Sequence, residues 1–404
     1  MNPFSIKFFA FFVYLGTFLF PFQIFALSVA GSKYDLTSFV YLFIALWSTF
    51  KSNLVNKRAL LLFSIFLLIQ IFVYLFFGFA PFYRLFSGLV WFGGLLLLLW
   101  SGYRIDYDRK IVMKIILGLL LLTAFYIFLQ RFFLGIDRPK AWFGEPSFAG
   151  LCLYSGSAGI FSILYSGITF SRLQKRNLRI LFLVIFFAGT LTFSMHIVTF
   201  IMTISFLLIS KITLRSLPIL LLCSLVITLG VTYLVTIPHY FDRINLANPE
   251  SNISLLSWLE GFDQMKTAIS RSPIFGLGLG STGYFSFESN NTIALENLKI
   301  GSLNLKDAFS GFFRLVIEIG LISVLLFIWF LTKRFRKFKN IYFSSNNRVA
   351  KKNYYSEFFL FIFAFSLMMG FLLKEPSYAR SYVYMAFFLI GTNTFLVSKA
   401  EFSK

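Results

Sequence analysis

Long apolar runs separated by short polar clusters divide this chain from one end to the other. Runs suited to crossing the roughly 30 Å hydrocarbon core of a bilayer fall at about 8–30, 36–50, 59–80, 85–102, 111–130, 147–170, 217–237, 308–331, 358–373 and 381–398. One further run, from about 180 to 210, carries no charge and would be roughly 45 Å long as a single helix. Arg172, Lys175, Arg176 and Arg179 precede it, and Lys211 and Arg215 follow it. Loops rich in Lys and Arg stay cytoplasmic. The run is therefore expected to cross twice, turning near Ser194-Met195-His196. Two spans of about 15 residues are short, which points to tilted or broken helices.

With that hairpin the pattern predicts an all-α polytopic membrane protein of about twelve transmembrane helices, with both termini in the cytoplasm. The whole of 1–404 reads as a single integral membrane domain. The first run exceeds the core of a signal peptide, about 7–15 residues, and is read as an uncleaved helix. Outside lie a loop at about 131–146 and one large extracytoplasmic loop at 238–307. The large loop holds Asp242, Glu250, Glu260, Asp263, Glu288, Glu296 and Asp307. Loops of that length are usually functional, so the chemistry is expected to face outward.

Composition agrees with a membrane protein. The chain has 404 residues, 58% of them hydrophobic and only 13% charged, where a soluble domain carries about 25% charge. Its net charge of +21 is spread through short clusters between apolar runs. That is the signature of topology and not of a nucleic-acid groove. Cys152 and Cys223 lie inside apolar runs, and His196 and His239 are the only histidines. No disulfide framework, metal site or cofactor is expected.

Candidate chemistry gathers outside. In Arg138-Pro-Lys140-Ala-Trp142-Phe-Gly-Glu145-Pro146, the proline suits the first turn of a helix and places Glu145 at its cap. Glu145 either caps that helix, with Trp142 as an interfacial anchor, or is a carboxylate working beside phosphate-binding cations. A similar string, Glu375-Pro376-Ser377-Tyr378-Ala379-Arg380, opens the last run. Arg314 and Glu318, four apart on one helix face, form either a structural pair or a functional one within an apolar run. Gly276, Gly278, Gly280 and Gly283 satisfy a dinucleotide-type spacing without its strand and helix context. They are read as a turn, either plain or letting backbone N–H groups approach an anion or sugar. Arg84, Arg131, Arg138, Arg243, Arg271 and Arg380 all fall outward, against the charge bias. Arginine is favoured where phosphate is gripped.

Three stretches resemble the O-antigen polymerase and O-antigen ligase superfamily of bacterial surface-polysaccharide synthesis. They are Arg138 to Gly150 with its Phe-Gly-Glu-Pro-Ser-Phe core, Trp258 to Gly280 ending in Ser-Pro-Ile-Phe-Gly-Leu-Gly-Leu-Gly, and Phe309 to Phe327 with Glu318-Ile-Gly320-Leu-Ile. The resemblance implies a metal-independent glycosyltransferase in the bacterial inner membrane, acting on undecaprenyl-pyrophosphate-linked glycans among membrane lipids. It leaves room for a chain-length regulator as partner. It implies Glu145 first and Glu318 second as the catalytic base, with Arg138, Arg243, Arg271 and Arg314 on the pyrophosphate. The ligase branch resembles a pattern with a histidine before the span that follows the large loop. Leu303 to Phe312 has none, which favours polymerase over ligase. Ser194 is followed by Met195 where the superfamily resembles Ser-Arg, a departure at that site. A transporter of lipid-linked sugars is the alternative outside enzymology.

Overall fold

The computed structural model describes residues 3–22, 26–29, 32–51, 57–101, 107–166, 168, 170–209, 253–287, 289–298, 308–344, 355–374, 377 and 380–402. The 217–237 run, Cys223, His239 and Arg243 lie outside the described residues. Among the described residues the fold is helical apart from one short hairpin. It runs α1 (Pro3–Leu19), β1 (Ala26–Val29), β2 (Ser32–Asp35), α2 (Leu36–Lys51), α3 (Lys57–Phe77), α4 (Phe82–Ser101), α5 (Arg109–Phe132) and α6 (Pro146–Tyr165). It continues with α7 (Arg172–Leu191), α8 (Ile197–Ile209), α9 (Ile253–Arg271), α10 (Asn290–Asn297), α11 (Gly311–Ile319), α12 (Leu321–Ser344), α13 (Tyr355–Leu373) and α14 (Ser381–Phe402).

Helix starts and stops follow local chemistry. Asp108 accepts from the Lys110 amide to open α5, and Ser171 with Gln174 forms a capping box on α7. The 8–30 run does not make one helix. Phe20 precedes Pro21, and a residue before proline disfavours the helical conformation, so α1 stops at Leu19. Ala26–Val29 then pairs antiparallel with Ser32–Asp35. The 238–307 loop carries α9 and α10.

Packing centres on α6 and α13. The Ser155 hydroxyl donates to Ser366 at 3.0 Å. Leu151 touches Gly370, and Gly159 meets Phe359, so the two helices run antiparallel. Small residues let them approach closely, the usual device where lipid removes the hydrophobic drive between helices. Nearly all of α13 is buried, and most of α6. The perimeter is the reverse. Leu68, Phe72, Leu75 and Phe76 of α3, Leu122 and Phe125 of α5, and Leu326 and Trp329 of α12 are exposed. A buried small-residue centre inside an apolar rim marks a membrane bundle. Among the described residues four helices are long and apolar enough to cross: those containing Phe82–Leu99, Arg109–Phe132, Pro146–Tyr165 and Tyr355–Leu373.

The uncharged 180–210 run folds back on itself. The Phe200 ring lies 6.3 Å from Phe182 and 5.1 Å from Phe186, whereas an unbroken helix would hold Phe182 and Phe200 about 27 Å apart. The break falls at Thr192 to His196, where Phe193 takes a positive φ of 49°. The 308–331 run is also interrupted, at Gly320, where φ is 86° and α11 gives way to α12.

Antiparallel and parallel registers place the starts of α4, α6, α8, α11 and α14 at one end of the bundle. Phe39 meets Trp91 and Leu42 meets Gly94, so α2 and α4 run parallel. The Tyr384 hydroxyl donates to the Trp91 carbonyl, and Gly391 meets Leu98, so α14 runs with them. That end carries Arg84, Arg131, Arg138, Arg271 and Arg380. Lys7, Arg109, Lys110, Lys114 and the Arg172–Arg179 cluster lie toward the opposite one.

Candidate functional site

Glu145 stands at the mouth of the most enclosed part of the bundle. It is the N-cap residue of α6, with Pro146 in the first turn, and its side chain makes no capping bond. Its carboxylate instead accepts from the Ser147 hydroxyl at 3.2 Å and is exposed. The positive end of a helix dipole favours an anion at this position. The α7–α8 break closes over the same turn: the Ser194 hydroxyl donates to the Ser147 carbonyl at 3.4 Å. A Cβ on Gly150 would collide with Ser194 and sit 2.7 Å from the Thr192 hydroxyl, so glycine is needed there for the close approach. His196 is buried behind it. Burial first, and then the charge of Lys374, hold its imidazole well below the usual range, in the neutral form.

The loop before α6 is folded onto α5. The Gln130 side chain accepts from the amides of Lys140 and Ala141 at 3.0 and 2.9 Å. Trp142 stacks 5.6 Å from Phe22 and 5.9 Å from Tyr126. Arg131 bridges Asp137 at 2.8 Å. Arg138 is exposed in this loop.

The start of α14 meets that of α6. The Arg380 guanidinium lies over the Phe148 ring at 5.2 Å, and Tyr382 packs against Phe148 at 5.6 Å. Arg380 sits 3.8 Å from buried Asp35, whose other oxygen accepts the Ser381 amide at 3.1 Å. Asp35 was not anticipated, since an acidic residue just before an apolar run reads as a simple boundary.

Glu318 belongs to a different constellation. It is fully buried and accepts from Arg314 Nε at 3.0 Å and from the Thr282 hydroxyl at 3.0 Å. Thr282 lies in the glycine-rich turn, which clamps the break between α11 and α12. Helix interruption at Gly320 leaves carbonyls without intrahelical donors. Leu277 N–H donates to the Ile317 carbonyl at 2.7 Å and Gly278 N–H to that of Glu318 at 3.1 Å, while Leu321 N–H reaches Pro273 at 3.0 Å. Leu279 N–H donates to the Gln70 side chain at 3.1 Å. Of the two readings of this turn, the structure favours the architectural one: these amides are spent on the protein and not presented to an anion. Gln70 is the single amide side chain of α3, a signal that was legible in the sequence.

Arg271 closes the far side of the turn. It donates to the Ser286 carbonyl at 2.7 Å and lies 5.7 Å from Phe79 and 5.6 Å from Phe285. Arg84 lies beside Gly280, with its guanidinium 5.8 Å from Tyr83 and 5.9 Å from Tyr284. The candidate residues therefore fall into two groups. Glu145 and Arg138 belong with the α6 mouth, and Glu318, Arg314 and Arg271 with the glycine clamp.

An exposed carboxylate at a helix start, with an arginine over the ring one turn along, can accept a proton while cations stabilise a phosphate leaving group. No family model matches this chain, and no curated protein matches it.

Proposed function

We propose that this helical membrane protein polymerises undecaprenyl-pyrophosphate-linked oligosaccharide repeats into O-antigen, capsule or exopolysaccharide at the outer face of the bacterial inner membrane. The observation that carries this reading is the placement of Glu145. It is an exposed carboxylate at the start of a buried helix, with Arg380 stacked one turn away on Phe148. In this reading about twelve helices cross the membrane with both termini inside, and the arginine-bearing end faces out. The topological argument is the basic residues at the other end.

Glu145 takes the proton from an acceptor hydroxyl as its oxygen attacks the anomeric carbon. The bond from that carbon to the pyrophosphate breaks, and arginines neutralise the departing charge. Glu318 is buried and already engaged by Arg314 and Thr282. The proposal therefore assigns the Arg314–Glu318 pair to holding α11 and the glycine clamp together.

Deleting the gene and separating lipid-linked from surface glycans on gels tests the reading. Single repeats in place of a long ladder are the expected result, with Glu145→Gln reproducing the loss while the protein still inserts. A full ladder retained on carrier lipid would assign the protein as a ligase. An unchanged profile would overturn both and favour the transporter, which the interrupted α7–α8 and α11–α12 helices also suit.

A further inference from the structure

Resting on that reading, we propose that Gln130 is the positioning residue that sets Glu145 in place relative to Arg138. Among the described residues no hydrogen bond or ion pair joins those two side chains: Arg138 is exposed, and the Glu145 carboxylate accepts only from the Ser147 hydroxyl. Their separation therefore depends on the backbone between positions 138 and 145. Gln130, near the end of α5 and 9% exposed, holds that stretch at its middle. Its side-chain oxygen accepts both the Lys140 and the Ala141 amides, at 3.0 and 2.9 Å. Two donors on one atom fix which end of the side-chain amide faces the loop. Its main-chain carbonyl accepts the Ile136 amide at 2.9 Å. One residue thus ties the loop on both sides of Arg138.

The same face of α5 holds a ring of this loop as well. Tyr126, one helical turn before Gln130, lies 5.9 Å from Trp142, and Phe22 stacks on Trp142 at 5.6 Å. Between the pinned Lys140 amide and the held ring, Ala141 takes a φ of 49°. That left-handed backbone is disfavoured for a residue with a Cβ and persists only where its surroundings hold it. The bond from its own amide to Gln130 does so here. Beyond it the Phe143 amide closes a turn on the Lys140 carbonyl at 3.0 Å, and the Phe143 side chain is buried. The chain is thereby carried into Glu145 and α6 along one path. A base works only within hydrogen-bond reach of the proton it takes, and a misplacement of about 1 Å costs about a hundredfold in rate. Groups on a loop acquire such precision from hydrogen bonds behind them.

Two substitutions in the full chain test the assignment. Gln130→Met keeps the length of the side chain and removes the acceptor, whereas Gln130→Glu keeps an acceptor oxygen in either protonation state. Growth of the glycan ladder is followed in cells lacking the native gene, per molecule of inserted protein. Hydrogen exchange over residues 138–145 is followed in the purified protein. Gln130→Met is expected to slow growth by about tenfold or more and to speed exchange over that stretch, and Gln130→Glu to keep both near the unaltered values. A role in stability alone would make growth follow the unfolding midpoint. Thr282→Val, which loses a hydrogen bond at the glycine clamp, is therefore compared at the same interval below its own midpoint and is expected to retain growth. Normal growth or unaltered exchange in Gln130→Met overturns the proposal, as does an equal loss of growth in Thr282→Val. Faster exchange in Gln130→Met together with an unchanged glycan profile after gene deletion sinks the polymerase reading alone and leaves the dependence of the loop on Gln130 standing.

Discussion

One oxygen of the Glu318 carboxylate accepts from both Arg314 Nε and the Thr282 hydroxyl, each at 3.0 Å. The pair on α11 is thereby tied to the glycine turn, whose backbone covers the α11–α12 break. Removing the cation strands a buried carboxylate, at a cost of about 3–5 kcal/mol. Thr282→Val removes one hydrogen bond, about 1 kcal/mol. Thermal unfolding in detergent should rank Arg314→Met well below Thr282→Val, and equal midpoints would contradict the link.

Glycine substitutions separate the clamp from an ordinary helix. A Cβ on Gly276, at φ 70°, would lie 2.6 Å from the Gly320 nitrogen. Both the backbone and the contact oppose Gly276→Ala, and a loss of about 2 kcal/mol or more is expected. Gly118 on α5 has nothing within 4 Å of a Cβ, so Gly118→Ala should be neutral or stabilise by up to about 1 kcal/mol. A destabilised Gly118→Ala would mean that α5 has a neighbour on that face.

Acidity should tighten the α9–α10 unit. Burial foremost raises the Glu260 carboxyl pKa, with Glu296 and Asp263 adding to it and the Thr292 hydrogen bond opposing. The folded protein therefore holds this proton more tightly than the unfolded chain does. The associated stability is fully present below the ordinary value of 4.5 and declines as pH rises through the raised one. Protection of α9 amides from hydrogen exchange, taken relative to the intrinsic exchange rate at each pH, should rise on acidification across that window. Glu260→Gln, which still accepts from Thr292, should flatten the dependence.

Sidedness can be read by single-cysteine labelling in a background lacking Cys152 and Cys223. Asp137, whose side chain is 94% exposed, and Arg176 at the start of α7 lie at opposite ends of the bundle. An impermeant maleimide added outside intact cells should modify Asp137→Cys and spare Arg176→Cys. The opposite pattern would invert the orientation and place the α6 mouth in the cytoplasm.

Much of this architecture was legible in the chain. Pro146 marked the start of α6, the spacing of Arg314 and Glu318 gave their pairing, and flanking charge located the fold-back near Ser194. What periodicity could not reveal was partnership across the sequence. Thr282 reads as part of a loose loop until Glu318 is seen beside it, and Asp35 is a boundary residue until α14 arrives with Ser381. The α1 run was read too long because hydropathy does not register Pro21, whose effect is on backbone geometry. The Gly320 break was hidden for the related reason that glycine interrupts a helix only when something else receives the freed carbonyls.

The contact between α6 and α13 has a consequence for temperature. Packing driven by water weakens on cooling, because its favourable entropy fades. In lipid that drive between helices is absent, and close approach at Gly159 and Gly370 works through dispersion and hydrogen bonds such as Ser155 to Ser366. Where α9–α10 lies in water, as the proposed orientation has it, its packing is sensitive to cold in a way that the support beneath Glu145 is not. Chilling should then loosen α9–α10 first and leave the carboxylate on a firm base.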